Sequence, residues 1–180
     1  MGDVLTFKNL VKAYPNCFVI CTVNSWDEIT KRAKTFSVLQ TVKETEEMKR
    51  AVEHHQKKEE NGVVCFMTQP VLSERGLQNL KRARAELSAK ILGGIYPIVS
   101  YRNACFMHNE ITGVEVTSEI RHMYEGKTRD ECKAIALNIS TDIAGKMADY
   151  VDGYYIMTPF NRVKLVGKII KAIRENGYLE

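Results

Sequence analysis

Three features of this chain predict an α/β fold built on a parallel sheet. Short strands at Val63–Met67, Ile91–Ile98 and Tyr154–Met157 are apolar on nearly every residue, which suits parallel strands buried on both faces. Amphipathic helical patterns alternate with these strands, the order expected of β-α repeats. Each strand then runs into a polar loop. The loops present Thr68 and Gln69, then Ser100, Arg102 and Asn103, then Thr158, Asn161 and Arg162. In parallel α/β folds ligands sit at the carboxyl ends of the strands, so three such ends point to one site assembled from several loops.

The elements follow in order. Residues 7–13 read as a helix and Pro15–Asn16 as a turn, before an apolar strand at Cys17–Val23. Asp27–Lys34 reads as a short helix and Phe36–Thr41 as a second strand. Glu44–Glu60 is a long charged helix whose apolar positions, Met48, Ala51 and Val52, recur at three and four residues. Gly62 is its stop signal. After the strand Val63–Met67, Ser73 is a natural N-cap for a helix with Leu77, Leu80 and Leu87 on one face. Ile91–Ile98 is the fourth strand, with Gly93, Gly94 and Pro97 marking special backbone, and residues 102–109 start a further helix. Thr128 and Glu131 form a capping-box pattern ahead of an apolar stripe at Cys132, Ile135, Ala136, Ile139, Ile143 and Met147. Gly153 closes that connection, and Tyr154–Met157 is the fifth strand. The last helix is expected from about Asn161 to Arg174, with Val163, Val166, Ile169, Ile170 and Ile173 buried.

This order amounts to about five parallel β-α units. A complete eight-unit barrel takes about 250 residues, so five units in 180 residues correspond to the later part of a TIM-type (β/α) barrel. An open five-stranded sheet is the alternative. The chain is expected to form a single domain over 1–180, with residues 1–43 only loosely assigned.

Composition narrows the function classes. Apolar residues at 44% and charged residues at 27% are ordinary for a soluble globular chain. The net charge of +4 and pI of about 8.7 lack the concentrated basic face of a nucleic-acid binder. Lys81, Arg82 and Arg84 form the densest basic cluster, which reads as a solvated helix face. No apolar run approaches the roughly 18 residues of a membrane span, and no secretory h-region is present. Five cysteines, Cys17, Cys21, Cys65, Cys105 and Cys132, are an odd count without CxxC spacing, which fits a reducing cytoplasm better than a disulfide framework. His54 and His55 are adjacent on a helix and do not share a face, so no metal site is expected there.

Among the loop residues, Gln69 offers both amide donors and an acceptor, which suits a pterin or a nicotinamide amide. The plainer reading is that it caps local backbone. Arg162, past a strand end and near a helix start, can grip a carboxylate or simply form a surface ion pair. Asn103 can orient an amide or hydroxyl, or cap the helix that begins there. His108, Asn109 and Glu110 read as structural. Neither a Gly-rich phosphate loop nor a nucleophile elbow is present.

Three stretches carry a resemblance to a known family. Asn61–Val71, with its Met67-Thr68-Gln69-Pro70 core, resembles the sixth-strand motif of methylenetetrahydrofolate reductases. Gly94–Ala104 is similar to their seventh-strand motif. Phe106–Val114 continues it in the style of the bacterial branch that includes fusions to a homocysteine methyltransferase. Tyr154–Arg162 resembles the eighth-strand motif, and the likeness spans about residues 44–175.

The resemblance implies a cytoplasmic flavoprotein barrel. Such enzymes pass a hydride from NADH or NADPH through FAD to methylenetetrahydrofolate, giving methyltetrahydrofolate for methionine synthesis. It implies that Gln69 contacts the pterin and the nicotinamide in turn. Asn103 stands where many relatives contact folate with a glutamine, and Arg162 matches the arginine that holds the folate glutamate tail. Lys57 and Lys58 fall where relatives contact the flavin. Two family features find no counterpart in this sequence: the general-acid glutamate of the first strand and the Arg-Gly-Asp-type loop after the fourth. Phe36–Thr41 lacks the usual Pro-containing ending of the fifth strand, and Cys17–Val23 is at best a shortened fourth. A reductase is therefore expected to need an N-terminal barrel half, with a completing polypeptide or a homo-oligomer as partner and no nucleic acid or membrane. The alternative is a non-catalytic, reductase-derived binding or interaction module.

Overall fold

A computed structural model describes residues 36–39, 56 and 65–178, apart from Thr112. The described strands are β1 (Phe36–Leu39), β2 (Cys65–Pro70), β3 (Lys90–Ile95) and β4 (Gly153–Ile156). They form one four-stranded sheet in the order β1-β2-β3-β4, and every pairing is parallel. The helices are α1 (Glu74–Glu86), α2 (Tyr101–Glu110), α3 (Ser118–His122), α4 (Arg129–Met147) and α5 (Val163–Glu175). The strand expected at Cys17–Val23, the helices at 7–13 and 27–34, and Lys57 and Lys58 lie outside the described residues. Of the expected helix 44–60, Gln56 is described; it is helical, and its Nε2 donates to the Glu86 carbonyl at 3.2 Å.

Strand order and crossover handedness together place the helices. Each described strand pairs with the next, and parallel crossovers are right-handed, so the connections from β2 to β3 and from β3 to β4 fall on one face of the sheet. The main core shows this directly. Phe66, Ile91 and Ile95 from the strands meet Leu77, Leu80 and Ala83 of α1, Ala136, Ala144 and Met147 of α4, and Leu165, Ile169 and Ile173 of α5. Fully burying a side chain such as Phe66 or Ile91 contributes roughly 1.5–3 kcal/mol. The other face carries Met67, Leu92, Gly94 and Tyr155, with the three side chains only half-buried.

Local signals account for the helix starts. Ser73 caps α1 by accepting from Gly76 N at 3.1 Å, and Thr128 and Glu131 form the reciprocal capping box of α4. The buried stripe of α4 is narrower than its isoleucines suggest: Cys132, Ala136, Ser140, Ala144 and Met147. Small residues there let the helix approach the sheet, where a Cβ on Gly93 would lie 3.1 Å from Val151 and 3.2 Å from Met147. Ile135, Ile139 and Ile143 pack beside it on a second cluster, which joins Leu72, Ile98, Met107, Val114 and Tyr124.

Several expected boundaries shift. The strand set at Val63–Met67 continues to Pro70, and the one set at Ile91–Ile98 ends at Ile95, two residues before Pro97, which has no N–H to pair. The last strand begins at Gly153 rather than Tyr154. The last helix begins at Val163 rather than Asn161, because Phe160 and Asn161 are left-handed. Val163 and Ile170, expected to be buried, are 69% and 38% exposed. Helical geometry carries them off the stripe Leu165–Ile169–Ile173, whose spacing of four defines the buried side. Helix α3 was not anticipated; its N-cap Thr117 accepts from Ile120 N.

Candidate functional site

The sheet is parallel, so the loops after β2, β3 and β4 emerge at one end. Gln69, Ser100–Asn103 and Thr158–Arg162 therefore share that end of the sheet, as the sequence pattern implied.

The end of β2 is irregular. Between Met67 and Pro70, β2 carries one more residue than β3 does between Leu92 and Gly94. This is a bulge, a device that re-aims side chains beside functional sites. Pro70 cannot donate to the ladder, so a central strand accommodates it at such an irregularity. Thr68 repairs the ladder: Gly94 N donates to its Oγ1 at 2.9 Å, and the same hydroxyl donates to the Gln69 carbonyl at 2.7 Å. Gln69 is half-buried, and its side-chain amide takes no hydrogen-bond partner among the described residues.

Across β3, the Tyr155 hydroxyl donates to the Thr68 carbonyl. The ring reaches β2 because Gly94 lies between them; a Cβ there would sit 2.7 Å from Tyr155 Oη and 3.0 Å from Thr68 O. Burial pushes the Tyr155 phenol above its ordinary value, so it stays a neutral donor at physiological pH. The sequence reading missed Tyr155. Pro70 at the end of a central strand is the signal that could have drawn attention to this junction.

Asn103 sits inward, at the start of α2. It is buried, its Oδ1 accepts from Val99 N at 3.2 Å, and its Nδ2 donates to Tyr96 Oη at 3.1 Å. Ser100 Oγ caps the same turn by accepting from Asn103 N at 3.1 Å. Both polar ends of Asn103 are thus engaged within the chain, holding the loop after β3 against α2. Arg102 is exposed, and His108, Asn109 and Glu110 are exposed on the last turn of α2.

The loop after β4 is strained. Phe160 and Asn161 have φ of 53° and 55°, a region that costs Phe160 of the order of 1–2 kcal/mol and that asparagine adopts more readily. Such strain concentrates at functional sites. The turn buries Pro159, leaves Phe160 73% exposed and delivers Arg162 to the start of α5. Arg162 Nε and Nη1 are buried and have no hydrogen-bond partner among the described residues. Arginine is always charged, and leaving buried donors unpaired costs about 1–3 kcal/mol. An anionic acceptor would remove that cost. Among the described residues, Tyr124 Oη, inside the second hydrophobic cluster, is the other buried side-chain polar atom without a partner.

Several other charged groups are paired within the chain. The basic cluster on α1 is spent within the chain: Lys81 lies over the Tyr150 ring at 5.2 Å, Arg82 pairs with Glu86, and Arg84 with Asp152. Among the described residues no group of His, Cys, Asp and Glu is arranged to hold a metal ion, and no helix is long and apolar enough to cross a membrane. Cys65, Cys105 and Cys132 are free thiols.

No protein-family profile and no curated protein matches the sequence. Among solved structures, the chain is similar to an uncharacterized protein from Clostridium thermocellum that binds two copies of 5-methyl-5,6,7,8-tetrahydrofolic acid. The TM-score is 0.50 at 12% identity, over 73% of this chain and 49% of that one. At that identity the likeness is one of fold. The chain spans about half the length of that structure.

Proposed function

We propose that this chain binds a reduced folate at the carboxyl ends of β2, β3 and β4, on a sheet that is part of a TIM-type barrel. The observation that carries the reading is Arg162, whose two buried, unpaired N–H groups call for an anion at the loop end. The glutamate tail of a folate supplies a carboxylate, and Gln69 supplies a free amide able to match the donor and acceptor edge of a pterin. The fold likeness to a methyltetrahydrofolate-binding protein and the three strand-end motifs support the same ligand class. Sequential strand order with helices on one face supports a barrel over a doubly wound sheet, whose strand order reverses.

The finer reading is a methylenetetrahydrofolate reductase, in which NAD(P)H reduces the folate by way of FAD. It rests on the motif resemblance. The described residues include no Gly-rich phosphate loop. Their part in such an enzyme is to bind and orient the folate. The non-catalytic binding module keeps the same folate contacts without the redox step.

Two measurements test these readings. Calorimetric titration with 5-methyltetrahydrofolate is expected to show saturable binding that Arg162→Gln weakens. 6-Methyltetrahydropterin, which has the reduced pterin and no carboxylate, is expected to bind both proteins alike. Absence of saturable binding by any folate would overturn the proposal. A visible spectrum after adding FAD and desalting separates the two finer forms: retained flavin bands, with NADH-dependent reduction, support the reductase, and a colourless protein that still binds folate supports the binding module.

A further inference from the structure

We propose that Tyr155 is a positioning residue for Gln69, acting through the backbone of β2. The inference rests on the reading of Gln69 as a pterin contact and adds a residue that the strand-end pattern does not single out. The Thr68 carbonyl that accepts from Tyr155 Oη belongs to the peptide joining Thr68 to Gln69. The next peptide, joining Gln69 to Pro70, is held at its carbonyl by Thr68 Oγ1 at 2.7 Å. Both peptide planes that flank Gln69 are therefore pinned, one from β4 and one from its own neighbour. Pro70 restricts the residue before it to extended backbone, which removes a further freedom from Gln69.

The pinning matters because a bulge is otherwise weakly determined. An extra residue leaves the ladder locally unpaired, and the register between Met67 and Pro70 would not by itself fix where Gln69 points. Tyr155 lies two strands away and reaches across because Gly94 has no side chain. Its phenol is a neutral donor at physiological pH, so the tie does not depend on a titrating group. The arrangement couples the ends of three strands, with Gly94 N on Thr68 Oγ1 as the third link.

The test compares wild type, Tyr155→Phe and Gly94→Ala. Phenylalanine keeps the ring and removes the tie. Alanine at Gly94 places a methyl group against the hydroxyl and the Thr68 carbonyl, attacking the same tie from the other side. Two ligands separate positioning from general damage: 5-methyltetrahydrofolate, and p-aminobenzoylglutamate, which has the tail but no pterin. Loss of one net hydrogen bond corresponds to about a 3–10-fold weakening. Both variants are expected to show it for methyltetrahydrofolate while binding p-aminobenzoylglutamate as wild type does. The side-chain amide NMR signals of Gln69 should also shift or broaden in both variants without ligand. Unchanged methyltetrahydrofolate binding, or equal weakening of both ligands, would overturn the inference. If wild type binds neither ligand yet the Gln69 signals move in both variants, the folate reading falls and the backbone tie stands. If those signals do not move, the tie itself is refuted.

Discussion

Arg162 carries opposite obligations to stability and to binding. Its Nε and Nη1 are desolvated without partners, a cost that replacement by an apolar side chain of similar length removes. Arg162→Met is therefore expected to leave the ligand-free protein at least as stable as wild type, with a gain of about 1 kcal/mol in urea denaturation. Under the proposed folate binding, the same variant should lose any stabilisation by 5-methyltetrahydrofolate. A large loss of ligand-free stability would show that the guanidinium supports the fold and is not held for a ligand. Asn103 is the contrasting residue. Its amide is taken up by Val99 N and Tyr96 Oη, so the loop after β3 is built around it. The sequence marked both residues through their place after apolar strands, but only side-chain packing distinguishes an engaged amide from an unpaired guanidinium.

Caps and turn conformations set the boundaries of the elements. The Thr128 and Glu131 pattern was readable because a capping box is local, with both partners three residues apart. Thr128→Ala is expected to cost about 1 kcal/mol, measured as a lower denaturation midpoint with an unchanged m-value. The start of α5 was not readable in the same way. The apolar spacing runs back to Val163, yet two consecutive left-handed residues hold the chain out of the helix until Arg162. Asn161 tolerates that conformation, but nothing announces it at Phe160. The boundaries of β2 and β3 shifted for related reasons: a bulge stabilised by Thr68 extends one strand, and the loop before Pro97 ends the other.

At the scale of the molecule, Asp152 ties the amino-terminal ends of β3 and β4 to α1. Its Oδ2 accepts from Arg84 at 2.9 Å and from Ile91 N at 2.9 Å, and its Oδ1 from Lys90 at 2.7 Å. Burial alone would raise its carboxyl. The hydrogen bonds from Lys90 and Ile91 N, with the charges of Arg84 and Lys90, outweigh that and hold it below the ordinary 3.8. A carboxyl lowered in the folded state contributes stability above its unfolded value and loses it as pH falls through the folded one. Asp152→Asn is expected to cost about 2 kcal/mol at neutral pH. The gap between the two proteins should hold above pH 3.8 and close below it, as measured by denaturation across pH. A gap independent of pH would mean that shape, not charge, makes this contact. The node lies at the opposite end of the sheet from the strand-end loops, so under the proposed folate binding the variant should bind as wild type does.

Sequence alone determined the alternation of strands and helices, because apolar runs and amphipathic periods are local consequences of burial on two faces or one. It also marked the end of the sheet where polar side chains gather, because parallel strands send all their following loops to one side. Tertiary structure decided what those side chains are free to do. The bulge at Thr68 and Gln69, the reach of Tyr155 over Gly94, the engagement of Asn103 and the unpaired state of Arg162 depend on contacts between residues distant in the chain or on strained backbone. Such contacts leave no period in the sequence. They arise only when three strands and their helices are packed together, and they separate the residues that build the site from those left to meet a ligand.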